Sequence, residues 1–208
     1  MKEKAPASNR GRPRAFDREA ALARATRLFW EKGYEATSIS ELTEVMGIGS
    51  PSLYAAFGSK EALYAEALRY YVDTYECLVW DKFHAADTAR AAVEGYLMDS
   101  AAALTGSIAD IPLGCMVTLS SVGSEGHSEL GQRLRAQRAV TLHHLKMRLT
   151  RAVDEGEIPP ATDVHALARF VQTVQNGMSI LARDEASRSE LESVAQVVML
   201  GWDTRTAG

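Results

Sequence analysis

Three sets of side chains in this 208-residue sequence are placed to bind something. Thr37 and Ser38 bring two hydroxyls to the start of a helical pattern, where free amides and the helix dipole favour an anion. Tyr54 adds a phenolic hydroxyl, and Lys60 adds a positive charge where the next helical run begins. The chemistry these four can share is phosphate binding; a core aromatic is the other reading of Tyr54, and a solvated charge that of Lys60. A second set, Arg10, Arg12 and Arg14, lies in and beside the segment Gly-Arg-Pro-Arg. The third set is largely apolar: Tyr71, Tyr75, Tyr96, Met116 and Leu119, with Cys115 and His127 as scattered polar groups. Such a mixture suits a bundle pocket for a small amphipathic ligand, and it also suits an ordinary core.

Catalytic and metal chemistry is missing from the pattern. His143 and His144 are adjacent, so on a helix they point about 100° apart and form no i, i+4 ligand pair. Cys77 and Cys115 are too few for a disulfide framework. No basic residue lies within five positions of Cys115, which favours a buried thiol over a sensor. There is no Gly-rich phosphate loop, zinc signature or nucleophile elbow. The expectation is therefore a protein that is not an enzyme and needs no cofactor or metal.

The elements that must position these groups are all helical in period. Ala21, Leu22, Ala25, Leu28 and Phe29 follow one helix face, with Asp17 as N-cap and Gly33 at the end. Ser38 with Glu41 makes a capping-box pattern opening a short helix that stops at Gly47. A third helix starts near Ser50, with Pro51 in its first turn, and stops at Gly58. A long helix is predicted over 60–82, followed by helices near 87–105, 112–122, 126–155, 162–183 and 188–203. No strand pattern persists. The fold class is all-α with about nine helices.

Two short helices joined by a turn of about three residues form the helix-turn-helix arrangement, whose second helix enters the major groove. Gly47 allows a left-handed turn residue, and Ile48 sets the inter-helix angle. The outward positions of the second helix hold Ser50, Pro51, Ser52 and Ala55, none of which makes the bidentate base contacts of Arg, Asn or Gln. Ser50 and Ser52 can make single hydrogen bonds, while Pro51 and Ala55 can touch thymine methyls. Extended Arg-Pro-Arg is similar to the core of an AT-hook, which lies in narrow minor grooves. A non-specific electrostatic tail is the other reading.

Charge divides in the same way. The total is −4, yet residues 1–14 hold five basic side chains and only Glu3 as an acid. Residues 63–208 hold thirteen basic and nineteen acidic ones. The division read from this is a basic arm (1–14), a helix-turn-helix domain (15–62) and an acidic body (63–208). No apolar run reaches the roughly 20 residues that span a bilayer, so no membrane partner and a cytoplasmic location are expected.

The stretch 33–63, from Gly33-Tyr34 through Thr37-Ser38, Gly47-Ile48, Leu53-Tyr54, Phe57 and Ser59-Lys60-Glu61 to Leu63, resembles the DNA-binding domain of the TetR family of bacterial transcriptional regulators. The resemblance covers about residues 14–68. It implies a ligand-binding and dimerisation bundle behind the reader, a double-stranded DNA operator, a small-molecule effector and a homodimer. It also implies that Tyr54 touches the DNA backbone. A TetR-like dimer face would use the seam Leu167, Val171, Val174, Met178 and Leu181, together with Leu191, Val194 and Val198 of the last helix. The same seam could serve as the protomer's own core. Rival readings are a small all-α enzyme or ligand carrier, and a DNA-architectural protein without a ligand pocket.

Overall fold

The computed structural model describes residues 16–120 and 127–206. Among these there are ten helices and no strand. A head is formed by α1 (Arg18–Lys32), α2 (Ile39–Met46) and α3 (Ser50–Phe57). The body comprises α4 (Lys60–Tyr75), α5 (Cys77–Ala85), α6 (Ala89–Leu104), α7 (Met116–Leu119), α8 (Ser128–Asp154), α9 (Val164–Arg183) and α10 (Arg188–Thr206).

The predicted caps Asp17 and Ser38 form, and Ser59 and Asp163 do the same for α4 and α9. Asp17, Ser38, Ser59 and Asp163 each accept a hydrogen bond from a first-turn amide. Two predicted helices are corrected. The run 60–82 divides at Glu76 into α4 and α5, which raises the count from nine to ten. Glu76 keeps helical dihedrals, so no Gly or Pro announces the break. Beyond it, the Trp80 ring lies 4.6 Å from Tyr96 of α6, in the body core. Of the helix expected over 112–122, the described residues form only α7, because Gly114 adopts φ +74 and Cys115 and Ser120 are extended; 121–122 lie outside the described residues.

Two hydrophobic cores result. The head core gathers Ala25, Phe29, Leu42, Leu53 and Phe57, and is closed by Leu63, Tyr64, Met116 and Leu134 from the body. The core thus continues past residue 62, and α4 belongs to both parts. The body core is built on Trp80, Tyr96, Leu145, Leu149, Val171 and Trp202.

A polar joint ties the cores together. The buried Trp30 indole donates to the Gly114 carbonyl at 3.0 Å, and the Gly114 amide donates to Leu104 O at 2.8 Å. Arg183, near the end of α9, reaches the carbonyls of Trp30, Glu31 and Leu113 at 2.7–3.1 Å. Gly114 has no room for a side chain. An added Cβ would lie 2.5 Å from Leu119 Cδ1 and 2.8 Å from the Ser179 carbonyl oxygen.

Candidate nucleic-acid interface and ligand cavity

The α2–α3 turn carries Gly47 at φ 68 and ψ 31, the left-handed conformation that a Cβ disfavours. Its amide closes α2, and the Ile48 amide bonds to the Thr43 carbonyl. Leu53 and Phe57 bury the inner face of α3, leaving Pro51, Ser52, Tyr54 and Ala55 exposed and Ser50 half-buried. Tyr54 is 48 % exposed, unusual for an aromatic residue whose helix is otherwise anchored in a core.

The predicted phosphate ligands separate on inspection. Ser38 is exposed at the start of α2. Its hydroxyl caps the Glu41 amide, while the Glu41 carboxylate returns to the Ser38 amide and hydroxyl. Lys32 and these Ser38 contacts hold the Glu41 carboxyl at about 2. Lys60 is half-buried, its ammonium 4.2 Å from the centre of the Tyr34 ring. The Tyr34 hydroxyl donates to Glu61 at 2.9 Å. Thr37 is corrected. It is 1 % exposed and its hydroxyl donates to the Gly33 carbonyl at 2.6 Å, so that group is spent on closing α1. Arg10, Arg12 and Arg14 lie outside the described residues.

Behind the head, α1 and α4–α9 enclose a cavity of about 90 Å³. Its aromatic wall is Trp30, Tyr71, Tyr75, Trp80 and Tyr96. Trp30 stands edge-to-face with Tyr71, centroids 4.7 Å apart. The Tyr71 hydroxyl donates to Cys115 Sγ at 3.3 Å, and burial keeps that hydroxyl protonated well beyond its usual range. The other lining groups are mainly neutral and polar, Thr118, Gln137, Thr141, Gln172, Gln175 and Asn176, with Arg138 and Glu76 as the charged ones.

Of the expected ligand residues, Tyr71, Tyr75, Tyr96 and Cys115 line this cavity. Three do not. Met116 points into the head core. Leu119 folds back over Gly114 on the far side of Trp30, lining a separate groove there. His127 precedes α8 at the head, its ring 4.9 Å from Tyr34 and its Nδ1 3.7 Å from Glu61. Among the cavity residues not expected as ligand contacts are Trp30, Thr118, Gln137, Thr141 and the amides of α9. A signal existed in Gln172, Gln175 and Asn176, which repeat at i, i+3 and i+4 beside an apolar seam.

The seam itself is corrected. Leu167, Val171, Met178, Leu191 and Val198 are buried in the protomer's own core. The free apolar surface keeps half-buried Val174, exposed Leu181 and half-buried Val194 of the seam and adds Phe170 on α9 with exposed Val197 and Leu200 on α10. Val197 and Leu200 are 68 % and 70 % exposed. No described helix is long and apolar enough to cross a membrane. The described residues hold no cluster of three or more potential metal ligands.

A helix-turn-helix with a free recognition face, joined to a helical body with an internal cavity, defines the class: a regulator-type helical protein. Comparison places it more narrowly. The family model for bacterial regulatory proteins of the tetR family matches residues 21–67. The transcriptional repressor ComR of Escherichia coli K12 is 37 % identical over 93 % of this chain and 92 % of its own. The regulator YezE of Bacillus subtilis 168 is 28 % identical over 90 % and 96 %. A cysteine mutant of the TetR family regulator CifR, solved with a 26 bp operator DNA, is 38 % identical with a TM-score of 0.85, covering 91 % of this chain and 98 % of that one. The chain belongs to the TetR family of bacterial transcriptional regulators.

Proposed function

We propose that this protein is a cytoplasmic repressor that binds a palindromic DNA operator as a homodimer and is released by a small-molecule effector, without catalysing a reaction. The observation that carries the reading is the outward face of α3. Tyr54 and its neighbours stay exposed while Leu53 and Phe57 fix the helix from behind. The operator complex of CifR supports the same use of this fold. Tyr54, Ser38 and Lys60 position the backbone, while Ser50, Pro51, Ser52 and Ala55 meet base edges. Arg10, Arg12 and Arg14 would add contacts in the flanking groove.

So few base-reading groups per head call for two heads, and a two-fold pair matches a palindrome. The exposed stripe from Phe170 to Leu200 is the surface for that pairing. Ligand response follows from Trp30, which belongs to the head core and also lines the cavity. A ligand that binds better when the Trp30–Tyr71 contact is rearranged would shift the heads away from the DNA-binding spacing; equal affinity for both states would shift nothing. The cavity favours this reading over an architectural protein without ligand response.

Gel-shift binding to DNA upstream of the protein's own coding region tests the proposal. Wild type is expected to form a specific complex. Tyr54→Phe, Lys60→Ala and deletion of residues 1–14 should each weaken it. Specific binding that ignores all three changes would remove the assigned contacts.

A further inference from the structure

We infer that the cavity takes an uncharged ligand with an apolar, ring-sized body and a carbonyl, amide or hydroxyl group that pairs with the Gln175 side chain. This deepens the effector reading above and rests on it. Gln175 is 7 % exposed and lines the cavity, yet its amide makes no hydrogen bond among the described residues. Its amide is not among the dry, unpartnered polar groups of the interior, so its donor and acceptor open onto the cavity, where a ligand can pair with them. Its neighbours on the same helix face are engaged. The Gln172 amide donates to Arg138 O at 2.8 Å and its oxygen accepts from Arg169. The Asn176 oxygen accepts from Thr118 at 3.3 Å. Gln175 is thus a donor and an acceptor held in place with nothing to hold.

The rest of the wall sets the ligand's other properties. The aromatic side offers ring faces and edges, which suit an apolar body. About 90 Å³ is less than the roughly 150 Å³ apolar cavity that houses benzene. A ring-sized ligand therefore fills all of this space and presses on the aromatic wall, of which Trp30 and Tyr71 are part. Charge is disfavoured. The two charged residues at the wall are Glu76, at the α4–α5 joint, and Arg138. Arg138 Nη1 is committed to the carbonyls of Val117 and Ser120 at 2.9 and 3.3 Å. These two charges are of opposite sign, so the wall as a whole presents no net counter-charge, and an ionised ligand would exchange its hydration mainly for rings and neutral amides.

Calorimetric titration of the full-length protein with five probes of nearly equal size tests this: toluene, benzyl alcohol, benzamide, benzoate and benzylamine. Benzamide, which can both donate to and accept from Gln175, should bind about tenfold more tightly than toluene, as two modest hydrogen bonds allow. Benzyl alcohol should fall between them, and both ions should bind at least about tenfold more weakly than benzamide. Gln175→Leu should erase the benzamide preference while leaving toluene affinity within about twofold, which also reports an intact cavity. The near-isosteric Gln175→Glu should weaken benzamide as well. Equal affinity for toluene and benzamide, tightest binding of benzoate, a benzamide affinity indifferent to Gln175→Leu, or no binding of any probe would each overturn the inference. Operator binding is measured separately with the same probes. Gln175-dependent benzamide binding without DNA release would remove the effector reading and leave the ligand class standing. Release by benzoate alone would do the reverse.

Discussion

Tyr54 and Lys60 carry different parts of the same contact, so their losses should look different. Removing the Tyr54 hydroxyl deletes one hydrogen bond to a charged oxygen, worth about 1.5 kcal/mol, or roughly tenfold in operator affinity. Lys60→Ala should weaken binding on all sequences and lower the slope of log affinity against log salt by about one. Anisotropy titrations at several salt concentrations separate the two. Ser38 has a second task in the capping box. Ser38→Ala should cost about 1 kcal/mol, read as a lower melting temperature. Glu41 links that box to pH. Its folded carboxyl is held at about 2, below its ordinary 4.5, so its contribution is complete above about 4.5 and is lost as pH falls through about 2. Glu41→Gln should flatten the fall of melting temperature over that interval, and an unchanged acid profile would contradict this. Ser38 with Glu41 was legible in the sequence because a capping box lies within four residues. Thr37 was not, since burial against the Gly33 carbonyl depends on how α1 and α2 meet.

Among the elements, periodicity identified helices well but could not say which of two adjacent stripes turns inward. On α9, Leu167, Val171 and Met178 of the predicted seam are core, while its Val174 and Leu181 lie with Phe170 on the free face. Both stripes are apolar, and only the neighbouring helices distinguish them. The division at Glu76 was hidden for a related reason: no Gly or Pro marks it, and the segment beyond it packs through Trp80 on Tyr96 of another helix. Gly114 shows how much rests on one short connection. With φ +74 and no space for a Cβ, Gly114→Ala should destabilise by about 2–4 kcal/mol in urea unfolding, from strain and overlap together. A change below about 0.5 kcal/mol, the size of an ordinary surface substitution, would mean that this joint is softer than its geometry requires.

For the whole molecule, the fold of the head was legible, whereas the cavity was legible only as a supply of aromatic residues. Head motifs are local and ordered along the chain. The cavity draws on α1 and α4–α9, and its polar wall combines residues some 60 positions apart, Thr118 and Asn176 among them. The pairing surface gives a prediction at this scale. Val197→Asp with Leu200→Asp should shift the protein from dimer to monomer in sedimentation without loss of helical signal, because both side chains lie outside the core. The central claim, a paired reader of one DNA sequence, is tested most directly by selecting binders from a pool of random-sequence duplexes with the full-length protein. The account predicts enrichment of an inverted repeat whose half-sites lie about one helical turn, roughly 10 bp, or a multiple of it apart. A pool that stays random after repeated rounds, or that converges on a single unrepeated half-site, would contradict it.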